Sequence, residues 1–226
     1  MSLVYKTTFL SLCVQIIIGI FDVIALTYSV PEDHRILKSV LLIETIVQVV
    51  ELCFYIYFVL RFSLGHMATS RYFDWFLTTP LMLFTTIVFL EYQARREADI
   101  PSNFTLASFI KDNRANIGII LSFNFAMLLV GYLAETNVIP RHVAALLGFA
   151  FLVVSFTTIF NNFARRSVLG RKLFIFLAIV WGLYGVAFLL PTVEKNIAYN
   201  CLDIVAKNFF GLYLFFKINA VQYQKN

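Results

Sequence analysis

Apolar positions along this chain gather into seven runs, at 8–29, 36–62, 72–91, 117–135, 140–163, 172–190 and 197–217. Each is near the ~20 residues that one helical bilayer crossing takes. Backbone groups in lipid must be satisfied within their own segment, so the runs predict seven membrane helices. Pro31, Pro101, Pro140 and Pro191 fall at or beyond the ends of runs, as expected for a residue that lacks an N–H. Pro80 alone lies inside one, which predicts a bend in the third helix. Segment 92–114 is polar and mixed in charge and reads as the longest connection. The first run is too long for the core of a signal peptide and has no small-residue cleavage pattern, so it is expected to be a retained helix.

Composition narrows the class. Of 226 residues, 60% are hydrophobic and 14% charged, against about 25% charged in a soluble domain, and the mean hydropathy is +0.81. Seven crossings of about 22 residues use roughly 154 and leave about 72 for loops and ends. The expectation is an all-α, seven-transmembrane-helix bundle forming one domain over residues 1–226, with no output domain. A disordered chain, a disulfide scaffold and a nucleic-acid module are excluded. Cys13, Cys53 and Cys201 lie in apolar runs and read as free packing thiols.

The net charge of +5 is explained by orientation. One side of the bundle carries Arg35, Lys38, Arg95, Arg96, Lys111, Arg114, Arg165, Arg166, Arg171, Lys172, Lys217 and Lys225; the other carries Lys6, Arg61, Arg71, Arg141 and Lys195. The excess of basic residues places the first side in the cytoplasm and the amino terminus outside. His34, His66 and His142 show no metal-ligand spacing, and no metal site is expected.

Function should lie with the ionisable residues inside the runs, because each costs at least a few kcal/mol in lipid. They are Asp22, Glu44, Glu51, Asp74, Asp203 and Lys207. Five acids cannot all be neutralised by one lysine, so some must be protonated, hydrated or in contact with cations. Asp203 and Lys207 stand one turn apart on one face of the seventh helix. Desolvation suits such a lysine either to a structural salt bridge or to a Schiff base, and the spacing leaves both open.

The string Arg71-Tyr72-Phe73-Asp74-Trp75-Phe76-Leu77-Thr78-Thr79-Pro80 resembles the third-helix signature of microbial rhodopsins. Asp203…Lys207 resembles their retinal-binding seventh helix, and Trp181-Gly182-Leu183-Tyr184 with Phe188 resembles their aromatic clamp. The family usually has proline after that tyrosine; here it is Gly185. The resemblance implies all-trans retinal held on Lys207 as a protonated Schiff base, with Asp74 and Asp203 as counter-ions. It also implies that Arg71 offsets their charge and Thr78 bonds the aspartate. Trp75, Thr79, Met127, Gly131, Trp181, Tyr184 and Phe188 would complete the pocket, and no enzymatic activity is expected.

Proton-pumping relatives usually carry a carboxylic acid eleven residues after the helix-3 aspartate, where this chain has Thr85. A hydroxyl is no proton donor near neutral pH, so a fast pump is disfavoured. The positive clue lies in helices 1 and 2. Glu44, Gln48 and Glu51, with Tyr55 beyond, form one polar stripe, and Ser11, Gln15 and Asp22 share a face of helix 1. Acidic oxygen ligands are how cation pores select; the alternative is a buried hydrogen-bond network gluing the bundle, against which two glutamates on one face repel unless a proton or cation intervenes.

The combination resembles the group-I viral rhodopsins of large algal viruses, which implies a light-gated channel for monovalent cations with calcium as a modulator. Cations would pass Ser11, Gln15, Glu44, Gln48 and Glu51. Glu51 and Asn200 would form the inner core, Arg71 an outer gate and Glu44 an inner gate. Thr79 and Asn124 stand where algal channelrhodopsins have a cysteine and an aspartate that set closing, so their kinetics do not carry over. A sensory rhodopsin or a weak light-driven proton pump is the alternative. The implied partners are retinal, the lipid bilayer (a host-cell membrane if viral) and cations, with a homo-oligomer left open.

Overall fold

The computed structural model describes residues 2–223, and among them all regular structure is helical. Seven helices follow one another: α1 Leu3–Thr27, α2 Arg35–Leu60, α3 Leu64–Glu97, α4 Leu106–Glu135, α5 Arg141–Asn162, α6 Val168–Phe188 and α7 Thr192–Tyr223. Short 3₁₀ turns at Glu32–His34 and Ala164–Arg166 lead into α2 and toward α6. Large apolar side chains such as Leu60, 75% exposed, and Leu146, 73% exposed, point outward. A surface of that kind needs lipid to cover it. Six helices are long and apolar enough to cross a membrane. The seventh carries Lys195, Asp203 and Lys207 turned inward and buried, so its hydropathy understates its membrane character.

Two boundaries differ from the sequence expectation. The connection expected at 92–114 is only 98–105, because α3 runs on to Glu97 and α4 begins at Leu106. Hydropathy registers only the part of a helix that lies in lipid; polar turns beyond it are held by local chemistry. On α3 that is the Glu91–Arg95 pair at 2.8 Å, and on α4 a capping box between Thr105 and Ser108. Pro80 sits within an unbroken α3, while Pro31, Pro101, Pro140 and Pro191 lie outside the α-helices.

Two of the basic residues expected on the outer side, Arg71 and Lys195, are buried in ion pairs, with Asp203 at 2.9 Å and Glu135 at 2.5 Å. Lys225 lies outside the described residues. The three cysteines are free, but Cys53 and Cys201 are exposed on the outer face and only Cys13 is partly buried, so two of the three do not pack inside.

Helix α3 runs through the middle of the core, with Leu83, Ile87, Val88, Phe89 and Leu90 fully buried. Helix α1 packs on α2 and α7, and α4 on α5. Three helices, α1, α2 and α7, therefore enclose a seam, and their polar residues turn into it.

Candidate functional site

Lys207 projects from the middle of α7 and is 3% exposed. Its Nζ lies 2.7 Å from Asp74 Oδ2 on α3, 3.3 Å from Glu51 Oε1 on α2 and 3.9 Å from Asp203 Oδ1 on its own helix. Three carboxylates from three helices thus surround one amine. Glu51, expected in the inner core of an ion path, faces the lysine.

Asp203 is held from its other side. Its Oδ2 accepts from Arg71 Nη1 at 2.9 Å and from the Tyr55 hydroxyl at 2.6 Å, and its Oδ1 from the Tyr184 hydroxyl at 2.6 Å. Arg71 also donates to the side-chain oxygen of Asn200, whose amide donates in turn to Thr7 at 2.8 Å and Thr8 at 3.0 Å. Arg71 therefore offsets the negative charge through Asp203, while Lys207 pairs with Asp74. Thr78 donates to the main-chain carbonyl of Asp74 at 2.9 Å and not to its carboxylate, because a helical threonine readily bonds the carbonyl four residues back. Asp74 Oδ1 has no hydrogen-bond partner among the described residues.

A cavity runs from Lys207 between α3, α4, α5, α6 and α7. Trp75, Thr79, Met127, Gly131, Trp181, Tyr184 and Phe188 all line it. The walls are otherwise apolar, with Met82, Leu128, Phe149 and Leu152 among them. A long apolar polyene tethered to an amine fits this donor set: one lysine at a polar end, aromatic and aliphatic walls elsewhere. Two glycines here are spacers. A Cβ on Gly131 would stand 2.5 Å from the Tyr72 hydroxyl, and one on Gly185 would stand 2.5 Å from the Phe149 ring. Thr79 accepts from Asn124 Nδ2 at 2.8 Å, which ties α3 to α4.

The seam between α1, α2 and α7 has layers. At one end Asn200, Thr7, Thr8 and Arg71 join. In the middle Gln48 donates to the main chain of Gln15 and to Asn208 Oδ1, each at 3.0 Å, and Gln15 donates to Ser11 at 3.2 Å. Toward the other end Glu44 accepts from Thr85. Asn200 is bonded to Arg71 and Tyr55, and Glu51 faces Lys207; Asp203, which accepts from Tyr55 and lies 3.9 Å from Lys207, stands between the two layers. Gln15 Oε1, Asn208 Nδ2 and both Glu51 carboxylate oxygens are buried without a hydrogen bond among the described residues.

Tyr72, Tyr199 and Asn208 did not stand out in the sequence. Tyr199 stacks on Tyr184 with ring centroids 5.8 Å apart and meets Trp75 edge-on at 4.9 Å. The spacing of four from Lys207 back through Asp203 to Tyr199 was the available signal. Asn208 stands eight residues, two such steps, after Asn200, whereas nothing local pairs Tyr72 with Gly131.

No curated protein matches the sequence. Viral rhodopsin OLPVRII superimposes with a TM-score of 0.79 at 24% identity, covering 95% of this chain and 96% of that one. Xanthorhodopsin, a light-driven ion pump with dual chromophore, gives 0.71 at 17% over 99% and 95%. Halorhodopsin, a light-driven chloride pump, gives 0.69 at 14% over 97% and 96%. At such identities these likenesses show the fold. The family profile described as bacteriorhodopsin-like protein matches residues 4–220, nearly the whole chain, and so the protein belongs to the bacteriorhodopsin-like family, which implies a retinal chromophore.

Proposed function

We propose that this chain is a light-gated channel for monovalent cations, with calcium as a modulator and the amino terminus outside. All-trans retinal would be held by Lys207, enclosed by Trp75, Trp181, Tyr184 and Phe188. Bound there, it supplies light-driven isomerisation. The chain's own residues do the rest. A proton leaves Lys207 Nζ for Asp74 Oδ2, 2.7 Å away. Losing that charge weakens the hold of Lys207 on Glu51 and Asp203, and Asp203 is the group to which Arg71, Tyr55 and Tyr184 are bonded. One proton transfer can therefore loosen α2, α3, α6 and α7 together.

The observation that carries the reading is the seam itself. Three neighbouring helices turn carboxylate, amide and hydroxyl groups toward one another, and several of their buried atoms have no hydrogen-bond partner among the described residues. Buried polar atoms of this kind call for water or ions. A structural network of glue would satisfy its own members.

A second reading is favoured by one contact. Thr85, which cannot give up a proton, is hydrogen-bonded to Glu44, so a carboxyl from α2 stands where a helix-3 acid would be. That arrangement suits proton return to Lys207 in a weak proton pump.

Voltage clamp of cells expressing the protein separates the two. Photocurrent that reverses with the cation gradient supports the channel. Current of fixed direction at every voltage, or none at all, overturns it. Lys207→Ala, supplied with retinal, is expected to show no visible band and no photocurrent.

A further inference from the structure

We infer that Asp22 on α1 and Glu44 on α2 form a monovalent-cation site, one helical turn beyond Lys207 along α7. This rests on the channel reading and adds a residue to it.

Asp22 is 1% exposed, and its Oδ1 is buried with no hydrogen-bond partner among the described residues. Its seat is shaped for it. A Cβ on Gly211, one turn after Lys207, would stand 3.1 Å from both oxygens, so the carboxylate occupies space that any other residue at 211 would crowd. Glu44, 3% exposed, lies across the α1–α2 contact from Asp22: Gly19, one turn before Asp22, packs on Gln48, one turn after Glu44, where a Cβ would stand 3.6 Å from Gln48 Cγ.

A buried carboxylate left without compensation is strongly unfavourable, and two facing each other are worse. A cation between them removes both costs. The end of α1 already shows this behaviour: the Lys38 ammonium, reaching over from α2, bonds the carbonyls of Leu26 and Tyr28, the latter at 2.8 Å. A helix carboxyl end attracts positive charge, and Asp22 lies just inside that end. Two turns back on α1, Gln15 Oε1 is a further buried oxygen without a partner, so oxygen ligands continue inward from the site. Oxygen-only ligands suit hard cations. Two carboxylates, with no cluster of three metal-ligating side chains among the described residues, suit a partly hydrated sodium or potassium ion better than a divalent one.

The test uses the full-length pigment in membranes. Infrared spectra are recorded as sodium replaces N-methylglucamine, and the Asp22 bands are assigned by subtracting those of Asp22→Asn. The expected result is a carboxylate stretch that shifts with sodium and is lost in the variant. A protonated carboxyl band indifferent to sodium overturns the site. Photocurrents are then compared under sodium–potassium bi-ionic conditions. Asp22→Asn, and Gly211→Ala as a second variant that crowds the carboxylate, should keep the visible band, shift the reversal potential and reduce the current several-fold. Currents equal to the unsubstituted protein in size and reversal also overturn the site while leaving the channel reading intact. If the unsubstituted protein carries no passive current, the channel reading fails, and the sodium titration alone decides whether Asp22 binds the ion.

Discussion

Glu51 Oε1 lies 3.3 Å from Lys207 Nζ, which gives that amine a third carboxylate beside those of Asp74 and Asp203; in the proposed function all three would be counter-ions of the chromophore. A negative charge beside a cationic chromophore stabilises the ground state more than the excited state, because excitation draws positive charge away from the nitrogen. Glu51→Gln should therefore move the absorption band to longer wavelength while the protein stays coloured. An unshifted band, read in the same membranes at the same pH, would show that Glu51 carries no charge at the lysine.

Asp74 and Asp203 both flank Lys207, yet their replacement should differ in cost. Asp203 accepts from Arg71, Tyr55 and Tyr184, and Arg71 is fully buried. Asp203→Asn leaves that guanidinium without its ion-pair partner, a loss of about 3–5 kcal/mol for a broken buried pair. Asp74→Asn leaves Lys207 with Glu51 and Asp203 still within 3.9 Å, so only about 1–3 kcal/mol is expected, the scale of one charged hydrogen bond. Thermal midpoints of the two variants in one detergent give the order, and equal losses would remove the distinction.

Much of this arrangement could be read from the chain before its structure was known. The apolar runs locate seven helices because lipid demands it, and the spacing of four between Asp203 and Lys207 places both on one face whatever the helix packs against. What could not be read depends on how helices meet. The stripe on α2 is visible as Glu44, Gln48 and Glu51, but only the seating of α2 against α7 sends Glu51 to Lys207 and Gln48 to Asn208. The polar extensions of α3 to Glu97 and of α4 back to Leu106 lie outside hydropathy altogether. The choice of Thr78 between a carboxylate and a carbonyl is a rotamer choice that spacing does not determine.

Gly131 has a second consequence of packing between helices. With its missing side chain filled by the Tyr72 ring, Gly131→Ala must push that ring away, and Tyr72 also packs edge-on against Trp75 at 5.1 Å. Overpacking of this kind costs about 1–3 kcal/mol. The expected outcome is a lower thermal midpoint and a smaller yield of pigment. Tyr72→Phe in the same chain removes the nearest clashing atom, so the double variant should recover part of the loss. No recovery would mean that the backbone of α4, and not the ring, takes the strain.

Helix α6 carries Trp181, Tyr184 and Phe188, and its first turn is gripped by α3. The Glu97 carboxylate accepts from the main-chain N–H of Val168 at 2.7 Å and of Leu169 at 3.2 Å, while Glu91 pairs with Arg166 just before. Unbonded N–H groups at a helix start attract negative charge, so this carboxylate satisfies two of them and fastens one helix to another. Glu97→Ala should cost about 1 kcal/mol, the usual value of a lost cap, and should do so locally. Amide hydrogen exchange at 168–169 is expected to rise about five-fold, the equivalent of that energy, while exchange around Lys207 stays unchanged in the dark. A uniform rise across the bundle would show that Glu97 supports global stability and not the anchoring of α6.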